Sequence, residues 1–151
     1  MTETTGIFAA NAPQLDHWVQ LGVASGRVIS VSFPEEPDAG ASEDHPLIDR
    51  ILGYLAGESD GFADVEIALT VPTTHRAVLE TLRGVSHGQS VTTETLARTA
   101  PGIDEEDADT VREALQNNPT PLFIPDHRVR DAPGATPDDV AATLRSIEGI
   151  G

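Results

Sequence analysis

The sequence predicts an α+β protein: a small unit of sheet and helix over residues 1–71, followed by a helical unit over 72–151. Three observations lead there. Residues 16–33 alternate like a β-hairpin, residues 46–55 repeat like an amphipathic helix, and four further helical patterns follow with caps and breakers between them. At 151 residues the chain is long enough for one domain or two small ones, and its 38% hydrophobic content suits a folded core.

The elements follow in order. Gly6 to Ala9 reads as a short first strand. His17, Val19, Leu21 and Val23 share one face of a second strand. Ala24-Ser25-Gly26 then supplies the turn into Arg27 to Phe33, which is rich in β-branched residues. Pro34 to Asp44 is polar and acidic, a loop. His45-Pro46 opens a helix with proline at its favoured first position. Leu47, Ile48, Ile51, Leu52 and Leu55 make its stripe, and Gly57 stops it. Val65, Ile67, Leu69 and Val71 alternate with Glu66, Ala68 and Thr70, the pattern of a half-buried strand.

In the second half, Thr73 or Thr74 caps a helix that buries Val78, Leu79 and Leu82 and ends at Gly84. Thr92 or Thr93 caps a short helix with Leu96, Ala97 and Ala100, broken by Pro101-Gly102. Asp104 caps a third, with Ala108, Val111, Ala114 and Leu115 inward, closed by Asn117-Asn118-Pro119. Leu122-Phe123-Ile124 is a short buried run. Thr136-Pro137-Asp138-Asp139 begins a last helix with Val140, Leu144 and Ile147 inward. Two short helices with a tight break between them suggest a helix-turn-helix.

Charge and residue usage narrow the chemistry. There are 25 acidic residues against 9 basic ones, for a net charge of −16, and every basic residue is arginine. Such a chain repels nucleic acid and membrane surfaces in dilute salt. The first reading is the acidic surface of a halophile's protein; the competing one is an acidic patch for a basic partner. With no cysteine, thiol nucleophiles, disulfides and thiolate metal sites are excluded. His17, His45, His75 and His87 are dispersed without metal-ligand spacing, so no metal or cofactor is expected. No apolar run spans a bilayer and no signal peptide is visible, so a cytoplasmic location is expected, with no membrane partner.

One motif is specific: Asn118-Pro119-Thr120-Pro121-Leu122-Phe123-Ile124-Pro125-Asp126-His127-Arg128-Val129. It resembles the active-site signature of the O6-alkylguanine-DNA alkyltransferases. Supporting matches are His45-Pro46 before its helix, Tyr54 to Gly57, Arg76 to Leu82, and Gly88 to Thr92. The resemblance covers roughly residues 6 to 149. It implies an RNase H-like first domain, a winged-helix DNA-binding second domain and a link to DNA repair. It also implies roles. His127 matches the histidine that takes the proton from the family's cysteine through water, and Glu148 the carboxylate that orients it. Asn118 matches the asparagine bracing the active-site loop, and Val129 the residue whose carbonyl meets the flipped base.

The departures are equally pointed. Asp126 stands where the family has its cysteine, and a carboxylate is a far weaker nucleophile toward an alkyl ether. Thr93 stands at the position of a tyrosine that helps rotate the nucleotide out. Asp109 stands at that of an arginine that fills the vacated stack. After Gly134 the chain is six or seven residues short, in a loop that donates to the guanine oxygen. No catalysis is therefore expected at Asp126, His127 and Glu148. Arg112, Gln116, Arg128, Arg130 and Thr93 are the candidate DNA contacts, although Glu105, Glu106, Asp109 and Glu113 make the same helix acidic. The first expectation is a monomeric, non-enzymatic alkyltransferase-like protein that binds duplex DNA carrying alkylated guanine and works with repair proteins. The second is a protein-interaction or regulatory module that no longer binds DNA. A different acid–base chemistry at Asp126, His127 and Glu148 lacks a second nucleophile.

Overall fold

The computed structural model describes residues 5–43, 45–58, 62, 64–104 and 106–150; Asp44 and Glu105 lie outside them. Three antiparallel strands form a meander in the order β1 (Gly6–Ala12), β2 (His17–Ala24) and β3 (Arg27–Ser32), with one 3-10 turn over Pro13–Leu15. Val19, Leu21 and Val23 are buried along β2, as the alternation requires. The two-residue loop Ser25-Gly26 has φ of 52° and 79°, the paired positive angles of a type I′ turn, which glycine meets without strain at the second position. The first strand runs three residues beyond Ala9.

Five helices follow: α1 (Pro46–Leu55), α2 (Thr73–Arg83), α3 (Thr93–Thr99), α4 (Ala108–Gln116) and α5 (Asp138–Glu148). At the start of α1 the His45 Nδ1 accepts the Leu47 amide at 3.0 Å, and Pro46 holds the first position. Its buried face is Ile48, Ile51, Tyr54 and Leu55, so Tyr54 belongs to the inward stripe and Leu47 and Leu52 only to its flanks. Thr92 caps α3 by accepting the Thr95 amide at 3.2 Å.

Three expected features differ. Val65 to Val71 is not a strand. It makes one parallel bridge, Ile67 to Val28, through Val28 N–H to Glu66 C=O and Ala68 N–H to Val28 C=O. Further along β3, the Val31 amide donates to Pro119 C=O instead, so the edge is already shared and a ladder cannot propagate. Helix α2 has no side-chain cap: it starts at Thr73 itself, behind Pro72. Helix α4 is capped by Asp107, which accepts the Thr110 amide at 3.1 Å and its hydroxyl at 2.6 Å. Asp104 makes its own tight turn on the Glu106 amide at 2.9 Å.

Two hydrophobic clusters form. One joins the sheet and α1 to Leu122, Phe123, Val140 and Leu144; the other joins α2, α3 and α4 to Ile124 and Val129. The run Leu122-Phe123-Ile124 therefore straddles both cores, burying about 1.5–3 kcal/mol of transfer energy per side chain. It anchors a 3-10 turn over Asp126–Arg128, which lies between the two clusters. Among the described residues no helix is long and apolar enough to cross a membrane.

Candidate functional site

The buried 3-10 turn places Asp126, His127 and Arg128 side by side, each under 5% exposed. Charged groups survive burial only with partners, and two separate networks supply them.

The first is centred on Glu148, in the last turn of α5. Its carboxylate accepts from His127 Nε2 at 2.7 Å, from Arg128 Nε at 2.8 Å and Nη2 at 2.9 Å, from the Gly88 amide at 3.1 Å, and from the Tyr54 hydroxyl. Burial alone would raise this carboxyl. The donors from His127, Arg128 and Tyr54, and the histidine's charge, outweigh it and hold the group well below the usual range. Burial, then the hydrogen bond to Glu148 and its charge, pushes the Tyr54 phenol far up. Because Glu148 is an anion, His127 Nε2 must be the donor. That leaves Nδ1 as a buried atom with no partner among the described residues.

The second network closes over Asp126. Its Oδ1 accepts the Thr136 hydroxyl at 2.5 Å; its Oδ2 accepts the Ala135 amide at 2.9 Å, Asn118 Nδ2 at 3.1 Å and the Thr136 amide at 3.4 Å. Gly134 packs so closely that a Cβ there would lie 2.4 Å from Asp126 Cγ, so the turn tolerates only glycine at this point. Burial pushes the Asp126 carboxyl above its usual range, against the pull of Thr136, Asn118, the charge of His127 and the Ala135 amide. With both oxygens held by the 134–136 turn, the carboxylate is a clamp rather than a free nucleophile.

The remaining candidates separate by burial. Asn118 is buried and ties Ile124 C=O (3.0 Å) and Asp126 to the Thr120 amide (3.1 Å), a brace between the end of α4 and the 3-10 turn. Val129 is buried in the second cluster, and its neighbours pair with Val91: Val91 N–H donates to Arg128 C=O and Arg130 N–H to Val91 C=O, both at 2.9 Å. Two expected DNA contacts point inward. Arg128 is 4% exposed and donates to Glu148 twice and to Val85 C=O at 2.7 Å, because the buried anion needs its fork more than a surface phosphate does. Thr93 is also 4% exposed; its amide and hydroxyl donate to the Asp131 carboxylate at 2.9 and 2.8 Å. Arg112, Gln116 and Arg130 are exposed. Arg112 lies 3.6 Å from Asp109, whose side chain is 93% exposed on α4.

Beside the clamp is a cleft of about 520 Å3, lined by Asp126, His127 and Val129, by residues 130–134 and Thr136, and by Asp138, Ala141, Arg145 and Ile150 of the C-terminal segment. Sequence reasoning missed Tyr54, Gly88, Asp131, Thr136 and Arg145 as parts of this region. Only Tyr54 carried a signal, as the polar tip on an otherwise apolar helix face. Among the described residues no cluster of histidine and carboxylate groups could hold a metal.

Residues 73–146 match the family model of the 6-O-methylguanine DNA methyltransferase DNA-binding domain. No curated protein matches the chain by sequence. Among solved structures, a variant of the O6-methylguanine methyltransferase of M. tuberculosis superposes with a TM-score of 0.76 at 19% identity, covering 96% of this chain and 93% of that one. The M. tuberculosis OGT in complex with DNA gives 0.75 at 21% identity, covering 95% and 92%. The O6-methylguanine-DNA methyltransferase of the archaeon Pyrococcus kodakaraensis gives 0.65 at 21%, covering 95% and 98%. These likenesses establish the fold: a sheet domain followed by a helical DNA-binding domain. Residues 73–146 thus carry the DNA-binding domain of the 6-O-methylguanine DNA methyltransferases, and nearly the whole chain, which has no cysteine, has the fold of the solved methyltransferases.

Proposed function

We propose that this protein is a non-enzymatic, alkyltransferase-like DNA-repair protein that holds alkylated guanine in its cleft without removing the alkyl group. The observation that carries this reading is the pairing of a base-sized cleft with a clamped carboxylate. The cleft volume falls in the roughly 300–1,000 Å3 range of small-molecule sites. The residue at the alkyl-acceptor position accepts four hydrogen bonds from the chain itself. His127 and Glu148 then serve the fold, with Asn118 and Val129 supporting the pocket wall, and Arg112, Gln116 and Arg130 are the side chains left to meet DNA. The lesion would be passed on intact, so repair proteins are the implied partners.

Titration of the protein into duplexes with and without O6-methylguanine, across potassium chloride up to molar concentration, tests this. Tighter binding to the lesion duplex, with no methyl mass added to the protein, is the expected result. Equal affinity for both duplexes by a folded sample sinks the lesion-binding reading.

A second reading, a protein-interaction module that has lost DNA binding, is favoured by one specific feature. The outward face of α4 presents Asp109 and Glu113, with side chains 93% and 65% exposed, where a DNA reader needs positive charge. If wild type binds neither duplex and Asp109→Arg gains affinity for both, that reading leads. If Asp109→Arg changes nothing, α4 is not the face that meets DNA.

A further inference from the structure

In a chain with a net charge of −16, two arginines remain at one cleft without a carboxylate partner among the described residues. Arg130 and Arg145 both line it and neither forms an ion pair within 4 Å among the described residues, although Asp131 and Asp138 line the same cleft. Asp131 is turned to Thr93, and Asp138 sits exposed in the first turn of α5. The two arginines differ in rigidity. Arg130 is exposed and its side chain makes no hydrogen bond within the described chain. Arg145 is half-buried and one of its terminal nitrogens donates to His127 C=O at 3.3 Å. That single tether holds one end of the guanidinium and leaves its other N–H groups unpartnered among the described residues. A guanidinium is always charged and donates in a fixed fork.

From this geometry we infer that Arg145 is the base-reading donor of the cleft, directed at the O6 and N7 acceptor edge of a guanine-type purine. The inference rests on the lesion-binding reading above and names the residue that would perform the recognition. Two acceptors side by side are what a planar fork matches best among base edges, and that edge is offered by guanine and its O6-alkyl derivatives. The amides of Ala135 and Thr136 both donate to Asp126, so they are not available to a base oxygen. Arg145 comes from α5 and makes no hydrogen bond to that turn among the described residues.

Binding to three otherwise identical duplexes, carrying guanine, O6-methylguanine or O6-methyl-7-deazaguanine, tests the assignment. The proteins are wild type, Arg145→Met and Arg145→Lys, each checked for an unchanged unfolding midpoint. Wild type is expected to bind the O6-methylguanine duplex about tenfold more tightly than its 7-deaza counterpart, the effect of losing one partner of a bidentate contact. Arg145→Met should bind the lesion duplex about tenfold more weakly than wild type and show no further loss on the 7-deaza base. Arg145→Lys should fall between them, since an ammonium donates but cannot fork. If wild type prefers the lesion and Arg145→Met keeps both that affinity and the 7-deaza penalty, the Arg145 assignment is wrong while lesion binding stands. If wild type shows no 7-deaza penalty, the assignment fails even without a folded variant. If wild type does not distinguish lesion from guanine, both readings fall together.

Discussion

Glu148 shows what a single buried anion can organise. Five donors converge on it: one from α1 through Tyr54, one from the turn before α3 through Gly88, and three from the 3-10 turn through His127 and Arg128. Removing the carboxylate would leave the Arg128 guanidinium and the Tyr54 hydroxyl buried without their acceptor. Glu148→Ala should therefore cost roughly 3–5 kcal/mol of unfolding free energy, read by urea titration at neutral pH. Its pH signature has a definite sign. The folded carboxyl titrates below the unfolded value of about 4.3, so its stabilisation is complete above that value and is lost as pH falls toward the depressed folded one. Wild type should lose stability on acidification below about pH 4.3, and Glu148→Gln should show a shallower fall. Asp126 acts in the opposite sense. Its raised folded value means the native state binds the extra proton, so its contribution opposes the acid loss. An equally steep acid limb in Glu148→Gln would show that other carboxyls govern acid unfolding.

At the scale of elements, the sequence was most legible where a local rule acted alone. His45-Pro46 opens α1, Ser25-Gly26 turns the hairpin, and Thr92 caps α3, each as its own chemistry dictates. It misled where two local rules competed. Asp104 and Asp107 both precede the apolar stripe of α4, and either could cap it. The structure uses Asp107, because Asp104 satisfies the Glu106 amide in a turn of its own. Asp107→Ala should cost about 1 kcal/mol, while Asp104→Ala should cost only a few tenths. Equal losses in a denaturation series would reassign the cap. The alternation over Val65 to Val71 failed for a non-local reason: Pro119 takes up the next part of the β3 edge, which no local pattern reveals. The site was half legible in the same way. The signature placed Asp126, His127 and Arg128 together, and Glu148 with them. It could not disclose that Arg128 faces inward, because that depends on which buried anion lies within reach of its fork. Nor could it disclose that Thr136 and the Gly134 turn close over Asp126, since loop closure is set by tertiary distance.

The whole molecule carries a charge of −16 spread over a chain whose arginines are mostly engaged. Arg128 is bound to Glu148, Arg50 to Asp64, and Arg98 lies 3.7 Å from Glu94. Few cations are left to neutralise phosphates: along the cleft and α4, only Arg112 and Arg130 are exposed among the described residues, and Arg112 already lies 3.6 Å from Asp109, so two phosphate contacts are the upper bound there. Each phosphate neutralised on duplex DNA contributes about −0.9 to the slope of log K against log salt. Two contacts give a slope of about −2, far shallower than for proteins that grip roughly six to ten phosphates. Repulsion between the acidic surface and the duplex flattens it further at low salt, because concentrated ions screen that repulsion over about 10 Å at 0.1 M and about 3 Å at 1 M. Binding to the lesion duplex should therefore survive into concentrated potassium chloride, carried by contacts inside the cleft rather than along the backbone. Affinities measured across a series of salt concentrations decide this. A slope of about −5 or steeper would mean that a phosphate-binding surface exists elsewhere on the protein, and that the cleft is not the main source of affinity.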